Sequence, residues 1–390
     1  LTSFVRQNVD SGSIVMGSFV DLSKAFDLAS HDVILAKLEE LVVRGCALSW
    51  FRSYLDCRPW KVSLESAAGA SMSDTMLSTI GVPQGSLLGP LLFLILVNDL
   101  PRTLEDPCSL IVNYADDTNF LIAGQSVEEC IVRSQLKFEK LQCWLAQNGL
   151  ALNEGKTQCV LFQTQKRKHP DSFAFGRQSM FFSDQARFLG VQVDSCLNFR
   201  DHTKELCSRL TSVCFCIRKL RPVTSKSTIM SAYFGLFLAR ARYGIVFWAN
   251  PTNIEQVFKL QKRALRIVLG IPPLATCRGL LTREGLLTLP SILILESLLH
   301  CLKHREQYTR LNYNHKYETR NGLSLLIPAH RLQYFKHSFE YRSVTIFNHF
   351  VTHLHPDVCS IESPPETFKR KMKCFLIKNE FYSVADYLKF

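Results

Sequence analysis

The sequence predicts an α+β fold: a split βαβ sheet with helices on one face, followed by a mainly helical, basic region. Three observations lead there. The apolar run Ile14 to Leu22 has the length of a buried strand and feeds directly into a helical pattern. Two short apolar segments flank Tyr114-Ala115-Asp116-Asp117 and read as a hairpin with acids at its tip. Near residue 200 the periodicity turns helical, and the charge has changed sign by then. Residues 1–120 carry 8 Lys/Arg against 14 Asp/Glu, a net of −6, so the remaining 38 and 20 give residues 121–390 a net of +18.

Taken in order, the strand at 14–22 precedes a helix over 32–43, whose Leu35, Leu38, Leu41 and Val42 share one side, and a second helix over 47–54. Residues 61–65 and 75–78 are predicted to pair before Gly81-Val82-Pro83-Gln84-Gly85-Ser86 breaks the chain. An apolar helix spans 91–98, and strands at 110–113 and 118–123 bracket the acids. An amphipathic helix over 127–147 carries Ile131, Leu136, Phe138, Leu141, Trp144 and Leu145, and Gly149 stops it. Strands recur at 157–162, 180–182 and 188–193, then helices at 202–220, 225–247, 253–269 and 292–302. A polar, aromatic and basic tail of obscure role closes the chain. The expected domains are 1–200, 201–285 and 286–390.

Composition narrows the functional classes. With 390 residues, 47% apolar and 21% charged, the chain can bury sizeable cores. Fourteen Cys at uneven spacing, without a secretory leader, indicate buried thiols in a reducing, intracellular compartment rather than a disulfide framework. The longest apolar run, Leu91 to Val97, is far too short for a bilayer span, so no membrane partner is expected. Because the chain starts at Leu1, in what reads as mid-domain sequence, it is expected to be a fragment. Acids first and bases second suit metal-dependent chemistry on a polyanion.

The acids give that chemistry a focus. Asp21 ends an apolar strand, where a charge is costly unless a cation or donor meets it. Adjacent Asp116 and Asp117 at a hairpin tip repel each other unless metal intervenes. Side chains alternate along a strand, so one of the pair suffices to share a cation with Asp21, and Asp116 is favoured. Three acids so placed suit two divalent ions in phosphoryl transfer. The plainer reading makes Asp116-Asp117 a turn pair and Asp21 a helix cap.

The segments VDLSKAFD (20–27), GVPQGSLLGPLLFLILVNDLP (81–101) and NYADD (113–117) resemble, in order and spacing, polymerase motifs A, B and C of the reverse transcriptases of non-LTR retrotransposons, with a jockey-like flavour. GLALNEGKT (149–157) is similar to motif D, and ARFLGVQVD (186–194) to the primer-grip motif. LQKRALRIVLGIPP (260–273) and LIPAHRL (326–332) resemble the region downstream of the polymerase in these elements. The resemblance implies a polymerase palm followed by a thumb and connection region, and RNA-directed DNA synthesis. It implies two Mg²⁺ ions, with Mn²⁺ as a substitute, and as partners an RNA template, a DNA primer or target and deoxynucleoside triphosphates. No stable protein partner is expected. The location implied is the nucleus and a cytoplasmic ribonucleoprotein.

Carried over residue by residue, the resemblance makes Asp21, Asp116 and Asp117 the metal-binding carboxylates and Lys156 a proton donor to departing pyrophosphate. Phe26 becomes the ring that crowds a ribose 2′-hydroxyl; its plainer reading is core packing. Gln84, Gly85 and Tyr114 become nucleotide contacts. Gly81 and Gly85 would let backbone approach the nucleotide, with Pro83 stiffening the turn. Phe188, Leu189 and Gly190 become the primer grip.

Eleven cations, Lys204, Arg209, Arg218, Lys219, Arg221, Arg240, Arg242, Lys259, Lys262, Arg263 and Arg266, with Tyr233, Tyr243 and Trp248 interleaved, read as a surface for template-primer phosphates. Cys207, Cys214 and Cys216, and His300-Cys301 with His304, lack the paired spacing of a zinc site. Nothing before Val15 looks like a fingers segment, and neither an endonuclease nor a cysteine-histidine knuckle is evident. The alternatives to the polymerase are a silent relic that only binds nucleic acid and a two-metal nuclease. The nuclease has no evident use for GVPQGS or Phe26.

Overall fold

The computed structural model describes residues 1–66, 69–163, 170–175, 178–310 and 323–390. The chain divides into two compact units, Ser3–Leu189 and Gly190–Phe390.

The first unit is built on a four-stranded antiparallel sheet of β1 (Ile14–Val20), β6 (Ser109–Tyr114), β7 (Asp117–Gly124) and β8 (Gln158–Phe162), in the order β6-β7-β1-β8. Strands β2 (Arg58–Trp60), β3 (Ser63–Ser66), β4 (Gly69–Met72) and β5 (Met76–Ser78) lie between β1 and β6 in sequence and outside this sheet. All seven residues of β1 are buried. Its even-numbered apolar side chains, Ile14, Met16 and Val20, join the main core, as the two-residue period of a strand requires. On the odd-numbered face, the Phe19 ring meets Phe188 edge-on at 6.3 Å.

Of the helices of this unit, α1 (Thr2–Asp10), α2 (Ala25–Leu28), α3 (His31–Glu40), α4 (Cys46–Leu55), α5 (Leu88–Val97), α6 (Leu100–Thr103) and α7 (Val127–Gln147), the last packs on β1 and β7. Ser126 caps α7 by accepting from the Glu129 N–H at 3.2 Å, and the Glu129 carboxylate accepts from the Gln125 N–H at 2.8 Å. Its inner face carries Cys130, Ser134, Lys137, Phe138, Leu141 and Trp144. Leu136, expected inside, is exposed, and the stem of Lys137 takes the inner position while its ammonium reaches the Leu104 carbonyl.

Helices α3 and α7 are tied together at Asp99, the residue that precedes α6. It accepts from the Lys37 ammonium and from the Trp144 indole at 3.2 Å, and Lys37 lies over the Trp144 ring. Burial pushes the Asp99 carboxyl up, but these donors and the Lys37 charge outweigh it and hold it below the usual range. A depressed folded pKa stabilises above the unfolded value and is lost as pH falls through the folded one. Asp99→Asn is therefore expected to cost about 1 kcal/mol at pH 7, kept small by solvent screening, and the difference from the parent should disappear as pH falls through the lowered titration of the carboxyl. Denaturant titrations at pH 7 and in acid check this; an equal loss at both would remove the ionic contribution.

Between α4 and motif B the expected pairing of 61–65 with 75–78 is replaced by two nested hairpins, because the polar stretch closes earlier than the sequence pattern suggested. β2 pairs with β5, and β3 with β4.

The second unit is mainly helical. Helices Arg200–Leu220 and Pro251–Leu269 pack together, and the continuous helix expected over 225–247 is interrupted. It widens to a π-helical segment at Tyr233–Leu238, and Gly244 (φ 59°) breaks it before Ile245–Trp248. Gln261 donates to the Tyr233 hydroxyl at 3.1 Å and to the Leu287 carbonyl at 3.0 Å, and accepts from the Leu289 N–H at 2.9 Å. These bonds cross the boundary expected at residue 285, and the regions on either side form one compact unit. The tail, apart from 311–322, which lie outside the described residues, is structured. Helices Phe339–His349 and Pro365–Asn379 close a core with Leu289–Lys303 through Phe347, Phe368, Met372 and Leu376.

Candidate active site

Strand register assembles the acids. β1 and β7 pair antiparallel, ending at Val20 opposite Thr118, so the next residues, Asp21 and Asp117, stand opposite each other. Residues directly opposite in such a pair share a face. Tyr114 pairs with Asp117 across a two-residue turn of Ala115 and Asp116. Ala115 occupies φ 53°, a region that favours glycine, so this turn is strained where the acids sit. Asp116 is the partner of Asp21 that the sequence favours; the register puts Asp117 across from it, with Asp116 adjacent.

Charge follows geometry. Burial, then the neighbouring Asp116 and Asp21 carboxylates, push the Asp117 carboxyl above its usual range. Such a focus fits a divalent cation, which would relieve both repulsions at once. Among the described residues no three His, Cys, Asp or Glu side chains are close enough to ligate one ion as they stand.

Motif D meets motif A here. Asn153 donates its side-chain amide to Asp21 Oδ2 at 2.9 Å, and Lys156 Nζ lies 3.9 Å from the same oxygen with a largely exposed side chain. Asn153 lies within the GLALNEGKT segment that resembles motif D, but nothing in the sequence distinguishes it there.

Motif B is fastened to the end of motif A. Gly81 N–H donates to the Ala29 carbonyl and Val82 N–H to the Phe26 carbonyl, both at 2.8 Å, while the His31 imidazole bonds the Gly81 carbonyl at 2.7 Å. Gln84 donates to Asp27 Oδ1 at 2.9 Å. His31 and Asp27 are further residues the sequence argument passed over. The loop forms one wall of a cavity of about 650 Å³ that Tyr54, Arg58 and Trp60 also line. Gly81 and Gly85 share a positive φ, but only Gly81 is crowded: a Cβ there would come within 2.7 Å of the Asp27 carbonyl, whereas Gly85 faces open space. Its own chain, rather than a nucleotide, therefore accounts for the requirement at Gly81.

Phe26 is half-buried and stacks on the buried Phe93 at 4.6 Å. Tyr114 is exposed. In the predicted primer grip, Phe188 ends the strand Gln185–Phe188 and packs on Phe19. Leu189 (φ 45°) and Gly190 (φ 78°) follow as a turn, and the boundary between the units falls between them.

The eleven cations of the second unit are not equivalent. Arg209 pairs with Glu205, Arg242 with Glu296 and Lys259 with Glu255. Arg266 bonds the Ala275 carbonyl, Lys262 lies over Phe258 and Tyr382, and Lys219 lies over Phe215. Among the described residues Lys204, Arg218, Arg221, Arg240 and Arg263 are exposed, and no protein acid pairs with them. Tyr233 and Trp248 are core residues; of the three interleaved aromatics only Tyr243 faces solvent. Burial raises the Cys207 and Cys214 thiols, as in inert packing cysteines.

The family model for reverse transcriptase (RNA-dependent DNA polymerase) matches residues 3–193. The first unit, which this family model covers, is a reverse transcriptase domain, and the chain is similar over about 70% of its length to polymerases of retrotransposons. It is 28% identical over 284 residues to a probable RNA-directed DNA polymerase from transposon BS of Drosophila melanogaster, covering 70% of this chain and 31% of that protein. It is 27% identical over 285 residues to the RNA-directed DNA polymerase from mobile element jockey of Drosophila funebris, covering 70% and 30%. A Pol polyprotein of the R1 element from Bradysia coprophila is 27% identical over 292 residues, covering 72% and 28%. The matched region is thus under a third of the length of these relatives. Among solved structures, apo telomerase from Candida tropicalis overlaps 69% of this chain and 44% of its own, with 13% identity and a TM-score of 0.40. That likeness is too distant to place residues.

Proposed function

We propose that this chain extends a DNA primer on an RNA template, using deoxynucleoside triphosphates and two Mg²⁺ ions held by Asp21, Asp116 and Asp117. The observation that carries this is the register that sets Asp21 and Asp117 opposite each other, beside Asp116, with the Asp117 carboxyl raised by burial and then by its neighbours. The ions, when bound, would activate the primer 3′-oxygen and stabilise the charge on the leaving pyrophosphate. The protein's own part is to place them. β1 and β7 bring the carboxylates to one sheet end, and the bonds from Gly81 and Val82 fix the motif B loop beside it. On this reading Gln84 and the backbone at Gly85 meet base and sugar. Lys156, near Asp21 and largely exposed, gives a proton to pyrophosphate on the same reading. Lys204, Arg218, Arg221, Arg240 and Arg263 hold template-primer phosphates, and Phe188 to Gly190 support the primer end. The working location is a ribonucleoprotein in the cytoplasm and the nucleus.

Primer extension with Mg²⁺ on a defined RNA template tests the reading. Lengthening of a labelled primer is expected, and shortening would instead mark a nuclease. Phe26→Val is expected to admit ribonucleotides, because the ring edge would no longer crowd a 2′-hydroxyl. An unchanged preference for deoxynucleotides would leave Phe26 as core packing against Phe93 alone.

A further inference from the structure

Asp21 does not hold its own carboxylate in place. Asn153 binds it twice: the Asn153 N–H donates to the Asp21 carbonyl at 2.8 Å, and its Nδ2 donates to Oδ2 at 2.9 Å. Asn153 is itself fixed by Thr157, whose hydroxyl donates to the Asn153 carbonyl at 2.9 Å and whose N–H does so at 3.0 Å. The Asp21 N–H donates to Thr157 Oγ1 at 3.4 Å, so the three residues form a closed ring. The two segments are further joined where Ser23 N–H meets the Ala151 carbonyl at 2.8 Å and Leu22 bridges to Leu152.

An asparagine at a turn commonly spends its side chain on its own backbone two residues on. Here the donor goes to a carboxylate 132 residues away in sequence. Lys156 approaches the same oxygen, so both partners converge on Oδ2, and among the described residues none bonds Oδ1. We propose that Asn153 is a positioning residue for Asp21: its amide holds Oδ2 and leaves Oδ1 free for a divalent cation. This rests on the reading of Asp21 as a cation ligand. Groups that orient a ligating carboxylate without touching the metal typically account for about 10- to 100-fold in affinity.

The test is direct Mn²⁺ binding by the full chain, read from the electron paramagnetic resonance signal of free Mn²⁺, alongside thermal unfolding without metal. Asn153→Ser keeps a turn-forming polar residue but is too short to reach Oδ2. It is expected to raise the Mn²⁺ dissociation constant about tenfold, to shift Tm little, and to add no further loss in an Asp21→Asn background. If Asn153→Ser does not fold, Asn153→Gln, which displaces the amide by one methylene, is read in the same way. Weakened binding in Asp21→Asn together with unchanged binding in the Asn153 variant would overturn the positioning role while leaving the site intact. Unchanged binding in Asp21→Asn would remove Asp21 as a ligand, and the positioning role with it.

Discussion

Asp21→Asn, Asp116→Asn and Asp117→Asn are each expected to lower primer extension by at least about 10³-fold while the protein stays folded. An amide keeps the carboxylate's shape but not its charge, so it loses divalent affinity without opening a cavity. Stability should move the other way. The Asp117 carboxyl is raised by burial and by Asp116 and Asp21, so ionising it on folding is unfavourable. A raised folded pKa favours the native state at low pH, and that advantage is lost as pH rises through the folded value. Neutralising Asp116 or Asp21 relieves the repulsion, and Tm at pH 7 without metal should stay level or rise. Added Mg²⁺ should raise the parent's Tm and leave the variants' nearly unchanged. Extension within about twofold of the parent in any of them would remove that residue from the site.

Why these acids were legible in sequence, and other parts of the site were not, comes down to range. A charge at the end of an apolar strand and a second pair at a hairpin tip are local anomalies, and VDLSKAFD, GVPQGS and YADD each announce themselves within ten residues. What pairs with what is not local. Asp117 faces Asp21 because β1 and β7 are in one register and not another, and a shift of one residue would have put Asp116 there instead. Nothing near His31 in sequence marks it, and Asn153 and Asp27, although they lie inside the segments resembling motifs D and A, carry common polar side chains whose partners lie in other segments. The cations after residue 200 show the reverse error. Their number was plain, yet which of them a neighbouring acid already holds depends on helix faces, and Tyr233 and Trp248 turned inward with the core. The C-terminal helices were passed over although Phe368, Met372 and Leu376 recur at helical spacing, because polar residues dilute the pattern between them.

Gly81→Ala is expected to be severe and Gly85→Ala mild in stability, although both glycines hold nearly the same backbone angle, φ 84° and 81°. At either position an alanine in the left-handed region costs about 1–2 kcal/mol. At Gly81 the new methyl would also press on the Asp27 backbone, with its carbonyl oxygen at 2.7 Å, where no side chain can swing away. The loop would have to move off the end of motif A, straining the bonds from Gly81 to Ala29 and from Val82 to Phe26. Overpacking of this kind adds about 1–3 kcal/mol, for a total of roughly 2–5 kcal/mol. A displacement of that loop by about 1 Å is also enough to cost on the order of 10² in rate. At Gly85 nothing stands within 4 Å, so only the backbone term applies to folding. If that open space is where the nucleotide lies, Gly85→Ala should still raise the KM for deoxynucleotides about tenfold or more, out of proportion to its small change in Tm. Denaturant unfolding and steady-state extension on both variants separate the two roles. A Gly85→Ala protein with unchanged KM would make that glycine a turn residue only, and a Gly81→Ala protein of parental stability would show that the contact with Asp27 does not hold motif B in place.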